Sequence, residues 1–426
     1  TTTATATART TRCMYSVLAR NATIKPAKSG VVTTTTTPPP ATQSVLFKDS
    51  SMIAANHRKQ FFSTDKESAM EDEYGEMTSD GKTYTHDVPF VLENGQVLPK
   101  AELRYQTYGE LNAAKDNVLV VCHALTGNAS LHSWWGEMLG PGLAFDTSKY
   151  FVVCSNILGS CYGSTSPMSV KENDNSNNGG DIYGVDFPDI SVRDTVHLQL
   201  CMLKNDLQVN SIKCVIGGSF GGMQVVEFAV QGGTTQEGDS EPFVRSVIPI
   251  ACGAAHTAWQ IAISEVQRQA IYADPEWVAG NYGGATQGLS VARQIGMVSY
   301  RTPVGYVQKF GRKVADGTPA YGSKAFWSVK SYLEYQGQKF LSRFDPITYV
   351  KMTEQMDTHD VGRGRGGIPQ ALSKVEIPAL VLGIDSDVLY PLYEQEELAA
   401  MLPNSQLKII NSDAGHDGFL LEQDQV

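Results

Sequence analysis

From about residue 84 onward the chain alternates short apolar runs with longer stretches of mixed pattern. The runs Asn117–Val121, Tyr150–Ser155, Lys213–Ile216, Phe243–Ile250, Ala379–Ile384 and Leu407–Ile410 are rich in β-branched residues. That is the signature of strands buried on both faces of a parallel sheet. Between them the spacing turns helical, as in Met223–Val230 and Glu394–Leu402. Strand and helix in alternation predict an α/β fold with a mostly parallel sheet and covering helices. From Ala254 to Pro369 no convincing strand pattern remains, and Ala258–Tyr272 and Gly288–Tyr300 predict an inserted helical lid over about residues 254–370. The catalytic domain as a whole is expected to span 84–426.

The sharpest chemical signal is Gly217-Gly218-Ser219-Phe220-Gly221-Gly222, set directly between a predicted strand and a predicted helix. Small flanking residues let the backbone turn tightly enough to push a serine hydroxyl out of the sheet, which is the nucleophile elbow. A glycine-rich string also arises by chance, so the reading depends on partners further along the chain. A serine nucleophile needs a base and an acid to orient that base, in the chain order Ser, Asp, His. Asp385 and Asp387 both lie past the end of the run Ala379–Ile384, and Asp387, further into the loop, is the expected acid. His416 lies in the loop after the last strand, where the base belongs. His123 precedes the serine and is expected to shape the turn beside the nucleophile.

Acyl transfer also needs N–H donors aimed at a developing oxyanion. The backbone of Phe220, after the nucleophile, supplies one. The second is expected in His123-Ala124-Leu125-Thr126-Gly127, from the N–H of Leu125; the competing reading of that loop is an ordinary strand-end turn.

Five strings, His123–Gly127, Gly140-Pro141-Gly142, Gly217–Gln224, Ser386–Pro391 and Gly415–Glu422, together resemble the homoserine O-acetyltransferase family of the α/β-hydrolase superfamily, from about Asp87 to the end of the chain. The resemblance implies acetyl transfer from acetyl-CoA to the hydroxyl of L-homoserine, on the route to methionine. It places the family's triad on Ser219, Asp387 and His416 and its acceptor-binding residues on Arg293, Tyr300 and Asp417. An amino-acid acceptor presents a carboxylate and an ammonium, so an arginine and a carboxylate suit its pocket; Arg293 could equally be a solvated helix residue. The resemblance further implies a homodimer through the lid helices. No metal and no bound cofactor are expected, acetyl-CoA being a co-substrate. Phe220 departs from the methionine common after the family's serine. The chain also stops at Val426, where the family continues into a closing helix, and begins without Met, so a fragment is expected.

Within this picture the rivals are succinyl transfer, transfer to serine, simple hydrolysis by an esterase or thioesterase, and a silent binding protein on the same scaffold. Composition narrows the setting. A formal net charge of −11 argues against nucleic acid and gives no long-range attraction for anionic CoA, whose recognition must rest on local basic groups. The short Gly362–Gly367 run, with two arginines, reads as a mobile loop rather than an RNA contact. No apolar run reaches membrane-spanning length. The 7 cysteines contain no Cys-x-x-Cys pair and read as reduced thiols of an intracellular enzyme. Residues 1–65 are rich in Thr, Ala and Ser and contain Arg9, Arg12, Arg20 and Arg58, with no acid before Asp49, the composition of an organellar transit peptide and tail, mitochondrial or plastid, with a cytoplasmic enzyme as the alternative. An acidic linker comes next, over 66–83.

Overall fold

The computed structural model describes residues 81–171, 180–235, 241–314, 319, 321–322 and 326–426. The expected targeting tail and most of the acidic linker lie outside them. The strands are β1 (Lys82–Thr85), β2 (Phe90–Val91), β3 (Val97–Leu98), β4 (Glu102–Tyr108), β5 (Val118–Cys122), β6 (Phe151–Ser155), β7 (Ile212–Gly218), β8 (Val247–Ile250), β9 (Ala379–Ile384) and β10 (Ser405–Ile410). Eight of them form one sheet in the order β1-β4-β6-β5-β7-β8-β9-β10, and β2 and β3 pair separately. Pairing is parallel from β6 to β10 and antiparallel at β1-β4 and β4-β6. Strands β5 and β6 are buried at every position. Their alternate residues enter different cores, with Val118 and Val120 on one face of the sheet and Leu119 and Val121 on the other.

The six runs read as strands in the sequence are the six strands of the parallel array. The antiparallel side was not anticipated. In β4 a polar and half-polar string, Glu102-Leu-Arg-Tyr-Gln-Thr-Tyr, buries Leu103 and Tyr105 while Glu102 and Arg104 stay partly exposed. The expected strand Phe243–Ile250 begins only at Val247. Before that the chain meets the start of β7 only at an isolated parallel bridge, the Ile212 N–H donating to the Phe243 carbonyl at 2.8 Å and the Arg245 N–H to the Ile212 carbonyl at 2.9 Å, while the Val244 N–H donates to the Gly232 carbonyl at 2.8 Å.

The helices that matter here are α1 (Val192–Cys201), α2 (Phe220–Gly232), α3 (Ala258–Tyr272), α4 (Thr286–Tyr300), α5 (Pro303–Phe310), α6 (Ser328–Phe340), α7 (Pro346–Asp357) and α8 (Leu392–Met401). Helices α3 to α7 lie between β8 and β9, and no strand occurs there among the described residues. The apolar faces of α3, α4, α6 and α7 form a third core with Leu125, Phe220, Met223 and Leu389, so the insertion is packed onto the elbow itself. The arginine-glycine run is not loose. Arg365 Nη1 donates to Glu227 Oε2 of α2 at 2.9 Å, and Arg363 pairs with Glu93 at 3.1 Å. Buried Glu227 and exposed Glu93 thus explain both arginines as structural partners. The described cysteines are free thiols, and no described helix is long and apolar enough to cross a membrane.

Candidate active site

Ser219 stands between β7 and α2 with φ 58° and ψ −123°, a conformation L residues rarely hold and one that costs on the order of 1–3 kcal/mol. The surroundings enforce it. The Ser219 N–H donates to the Ile250 carbonyl at 2.9 Å, and its own carbonyl accepts from Met223 N at 3.1 Å. A Cβ at Gly217 or Gly221 would lie 2.6 or 2.1 Å from the Cys122 carbonyl oxygen, so the turn closes over the end of β5 only with glycine on both sides.

His416 Nδ1 lies 2.6 Å from Asp387 Oδ2, and both residues are buried. Asp387 Oδ1 accepts from the N–H groups of Leu389 and Tyr390, each at 2.8 Å. Three donors therefore fix the carboxylate plane. Asp385, the other candidate, accepts from Ser412 N at 3.0 Å and ties the two loops together. Tyr390 stacks on the His416 ring at 5.0 Å and 26°, and Phe419 meets its edge at 5.6 Å.

These groups converge on a cavity of about 40 Å³, whose walls include Leu125, Ser219, Arg293, Tyr300, His416 and Asp417, with Met356, Leu389 and Phe419 as apolar lining. Phe220, the first residue of α2, has an N–H with no intrahelical partner by position. Arg293 is 5% exposed and lies 5.2 Å over the Phe340 ring, so the solvated-residue alternative does not describe it. Asp417 has a companion that sequence reasoning missed: Arg301 Nε stands 2.5 Å from its Oδ2. Arg301 directly follows Tyr300 in the chain, and its position just past the end of α4 is what turns it back toward the loop.

Two further groups hold the Leu125 loop. His123 is wholly buried, its Nδ1 at 2.8 Å from the Ala124 carbonyl and its Nε2 accepting from Ile157 N at 3.2 Å. One ring nitrogen must donate and the other accept, so the ring is neutral, and burial lowers its pKa to about 4. From the insertion, Arg343 Nη1 donates to the Thr126 carbonyl at 2.8 Å and to the Tyr162 hydroxyl at 2.9 Å. Neither arginine nor histidine was assigned this work from the sequence alone beyond the turn-shaping reading of His123.

The buried histidines make the fold acid-sensitive. His359, bonded to the Gly253 carbonyl at 2.9 Å, is also lowered to about 4 by burial. Between their ordinary value of 6.5 and about 4 the unfolded chain binds protons that the folded chain does not, so stability falls as pH falls through that window. Each contributes a slope of up to about 1.4 kcal/mol per pH unit. Urea midpoints measured from pH 7 to 4 are expected to drop, and less steeply in His359→Asn. Equal slopes in the two proteins would count against the assignment.

A family model described as alpha/beta hydrolase fold matches residues 117–423. The homoserine O-acetyltransferase of Salinibacter ruber (strain DSM 13855 / M31) is 48% identical over 339 residues, covering 78% of this chain and 92% of the relative. That of Chlorobium chlorochromatii (strain CaD3) is 44% identical, covering 80% and 92%. Among solved structures, homoserine O-acetyltransferase from Bacillus anthracis superposes with a TM-score of 0.71 at 23% identity, over 81% of this chain and 95% of that one, a likeness of fold.

Proposed function

The chain belongs to the homoserine O-acetyltransferase family, and from that premise we propose that it moves an acetyl group from acetyl-CoA to the side-chain hydroxyl of L-homoserine through an acetyl-enzyme on Ser219. His416, oriented by Asp387, takes the Ser219 proton as Oγ attacks the thioester carbonyl. The oxyanion of the tetrahedral intermediate meets the N–H groups of Phe220 and Leu125. The thioester C–S bond breaks, and His416 returns the proton to the leaving CoA thiolate. Homoserine then enters with its carboxylate toward Arg293 and its ammonium toward Asp417, beside Tyr300. His416 takes its hydroxyl proton, and the acyl group passes on, restoring Ser219.

The observation that supports this reading most is the small cavity of about 40 Å³ in which a strained serine, a bonded His-Asp pair and a buried arginine and aspartate converge. Buried Arg293 offers a cation to the acceptor carboxylate, and Asp417, paired on one oxygen with Arg301, offers a carboxylate to its ammonium, an arrangement that suits a zwitterionic acceptor better than water. Assay of the purified protein with acetyl-CoA and succinyl-CoA, each against homoserine and serine, tests the reading. Acetyl transfer to homoserine is expected to dominate, and equal CoA release without an acceptor would replace it with a thioesterase.

Arg343 enters the reading as support for the oxyanion loop. Arg343→Gln loses a charged hydrogen bond to the Thr126 carbonyl, so kcat is expected to fall about tenfold while KM for both substrates stays within about twofold. A raised KM with unchanged kcat would assign it to substrate contact instead.

Residues 1–65 serve in this reading as an organellar targeting segment. Their removal is expected to leave turnover unchanged, and their fusion to a reporter to move it into an organelle; a reporter that stays cytosolic contradicts it. We place a homodimer contact on the insertion, where Trp259 and Ile263 of α3 and Val291, Ile295 and Val298 of α4 line an open apolar groove at helical spacing. Sedimentation of wild type against Val298→Glu reads it directly.

A further inference from the structure

The chain carries a formal net charge of −11, yet between Arg301 and Arg343 it holds eight Lys or Arg against two Asp or Glu. A local reversal of that size, in a chain that otherwise repels anions, marks where an anion can approach. Three of these cations, on α5, on α6 and among the described residues between them, lie over aromatic faces. Lys309 Nζ is 4.7 Å from the Tyr332 ring centroid, the Arg312 guanidinium 5.0 Å from that of Trp327, and Lys330 Nζ 5.3 Å from that of Phe326. Such contacts orient a cation over a ring face.

Of these groups Lys309 and Tyr332 also line a cavity of about 250 Å³ that opens between α5, α6 and the His416 loop, together with Arg301, Tyr306, Asp413 and Glu422. Both acids are engaged within their own neighbourhood, Asp413 accepting from Gln308 Nε2 at 3.2 Å and Glu422 from Ser412 Oγ at 2.7 Å. Arg301 lines this outer cavity, and the Asp417 it pairs with lines the catalytic one. The ion pair thus has one member in the lining of each cavity.

We infer that this face binds the 3′-phospho-ADP end of coenzyme A, with Lys309, Arg312 and Lys330 receiving phosphates and the exposed aromatic edges of α6 receiving the adenine. The pantetheine arm then runs past the Arg301–Asp417 pair toward Ser219. The inference rests on acetyl-CoA being the acyl donor. It explains how an acidic protein takes a polyanionic substrate, and why phosphate-binding charge gathers outside a catalytic cavity too small to hold the nucleotide.

The test compares two donors, acetyl-CoA and acetyl-pantetheine, which carries the same thioester without phosphates or adenine. In the whole 426-residue chain, Lys309→Glu combined with Arg312→Glu is expected to raise KM for acetyl-CoA about tenfold or more, with kcat and acetyl-pantetheine turnover within about twofold. Arg312→Glu alone, which alters an exposed side chain, should show a smaller shift of the same kind. Unchanged acetyl-pantetheine turnover also shows that the variants are folded. Wild-type KM for acetyl-CoA should rise with added salt, and that of the double variant should not. A double variant whose KM for acetyl-CoA matches wild type, or whose two donors suffer alike, overturns the site. A wild type that turns over neither donor overturns the acyl-donor reading and the site with it.

Discussion

Ser219→Ala is expected to give a folded protein that forms no acyl-enzyme and turns over at least about 10³-fold more slowly than wild type. Alanine keeps the Cβ, so the strained φ of 58° and the bonds to Ile250 and Met223 remain as they are. The thermal midpoint should therefore stay within about 2 °C. What disappears is the one atom that can accept the acetyl group, while the N–H donors of Phe220 and Leu125 stay in place and account for residual turnover. Intact-mass measurement after rapid mixing with acetyl-CoA should find a single added acetyl on Ser219 in wild type and none in the variant. An acetyl on a cysteine, or undiminished turnover, would end the acyl-enzyme scheme. The cysteines are poor candidates on physical grounds, since burial raises the thiol pKa of Cys122, Cys154 and Cys252 and keeps them protonated.

How much of this was legible beforehand tracks burial. The six parallel strands were readable because both faces of each are covered, which makes them nearly unbroken apolar runs, as β5 and β6 show residue by residue. Strands β1 and β4 were not, because β4 buries only Leu103, Tyr105 and the polar Gln106, which breaks the apolar run a sequence pattern would show. The motif residues were legible because each sits at a strand's end, where local sequence and site coincide. Arg301 and Arg343 were not. Their partners, Asp417 and the Thr126 carbonyl, lie 116 and 217 positions away, and no local pattern encodes which long-range carbonyl or carboxylate a cation will find. The arginine-glycine run failed in the opposite sense. Its composition suggests looseness, but Glu227, buried in α2, requires a cation, and Arg365 meets that need.

Asp387→Asn is the second large effect, and its cause can be read atom by atom. Oδ1 accepts from two backbone N–H groups, Leu389 and Tyr390, so an asparagine must keep its oxygen there and turn its NH₂ toward His416. An NH₂ at that point can only donate. Nδ1 of His416 must then accept, which forces the ring proton onto Nε2, the nitrogen that has to take the proton from Ser219. Turnover is expected to fall by about three to four orders of magnitude although the backbone barely moves. Raising the pH should not restore it, since the loss comes from the wrong tautomer and not from a protonated base. Asp385→Asn serves as the contrast. Its carboxylate meets Ser412 N and stands outside the relay, so catalysis should stay within about threefold of wild type, with any cost appearing as a lower melting temperature. Single-turnover acetylation rates for the two variants, measured beside their thermal midpoints, separate the roles; similar losses of acetylation in both would mean that loop geometry, and not the tautomer of His416, sets the rate.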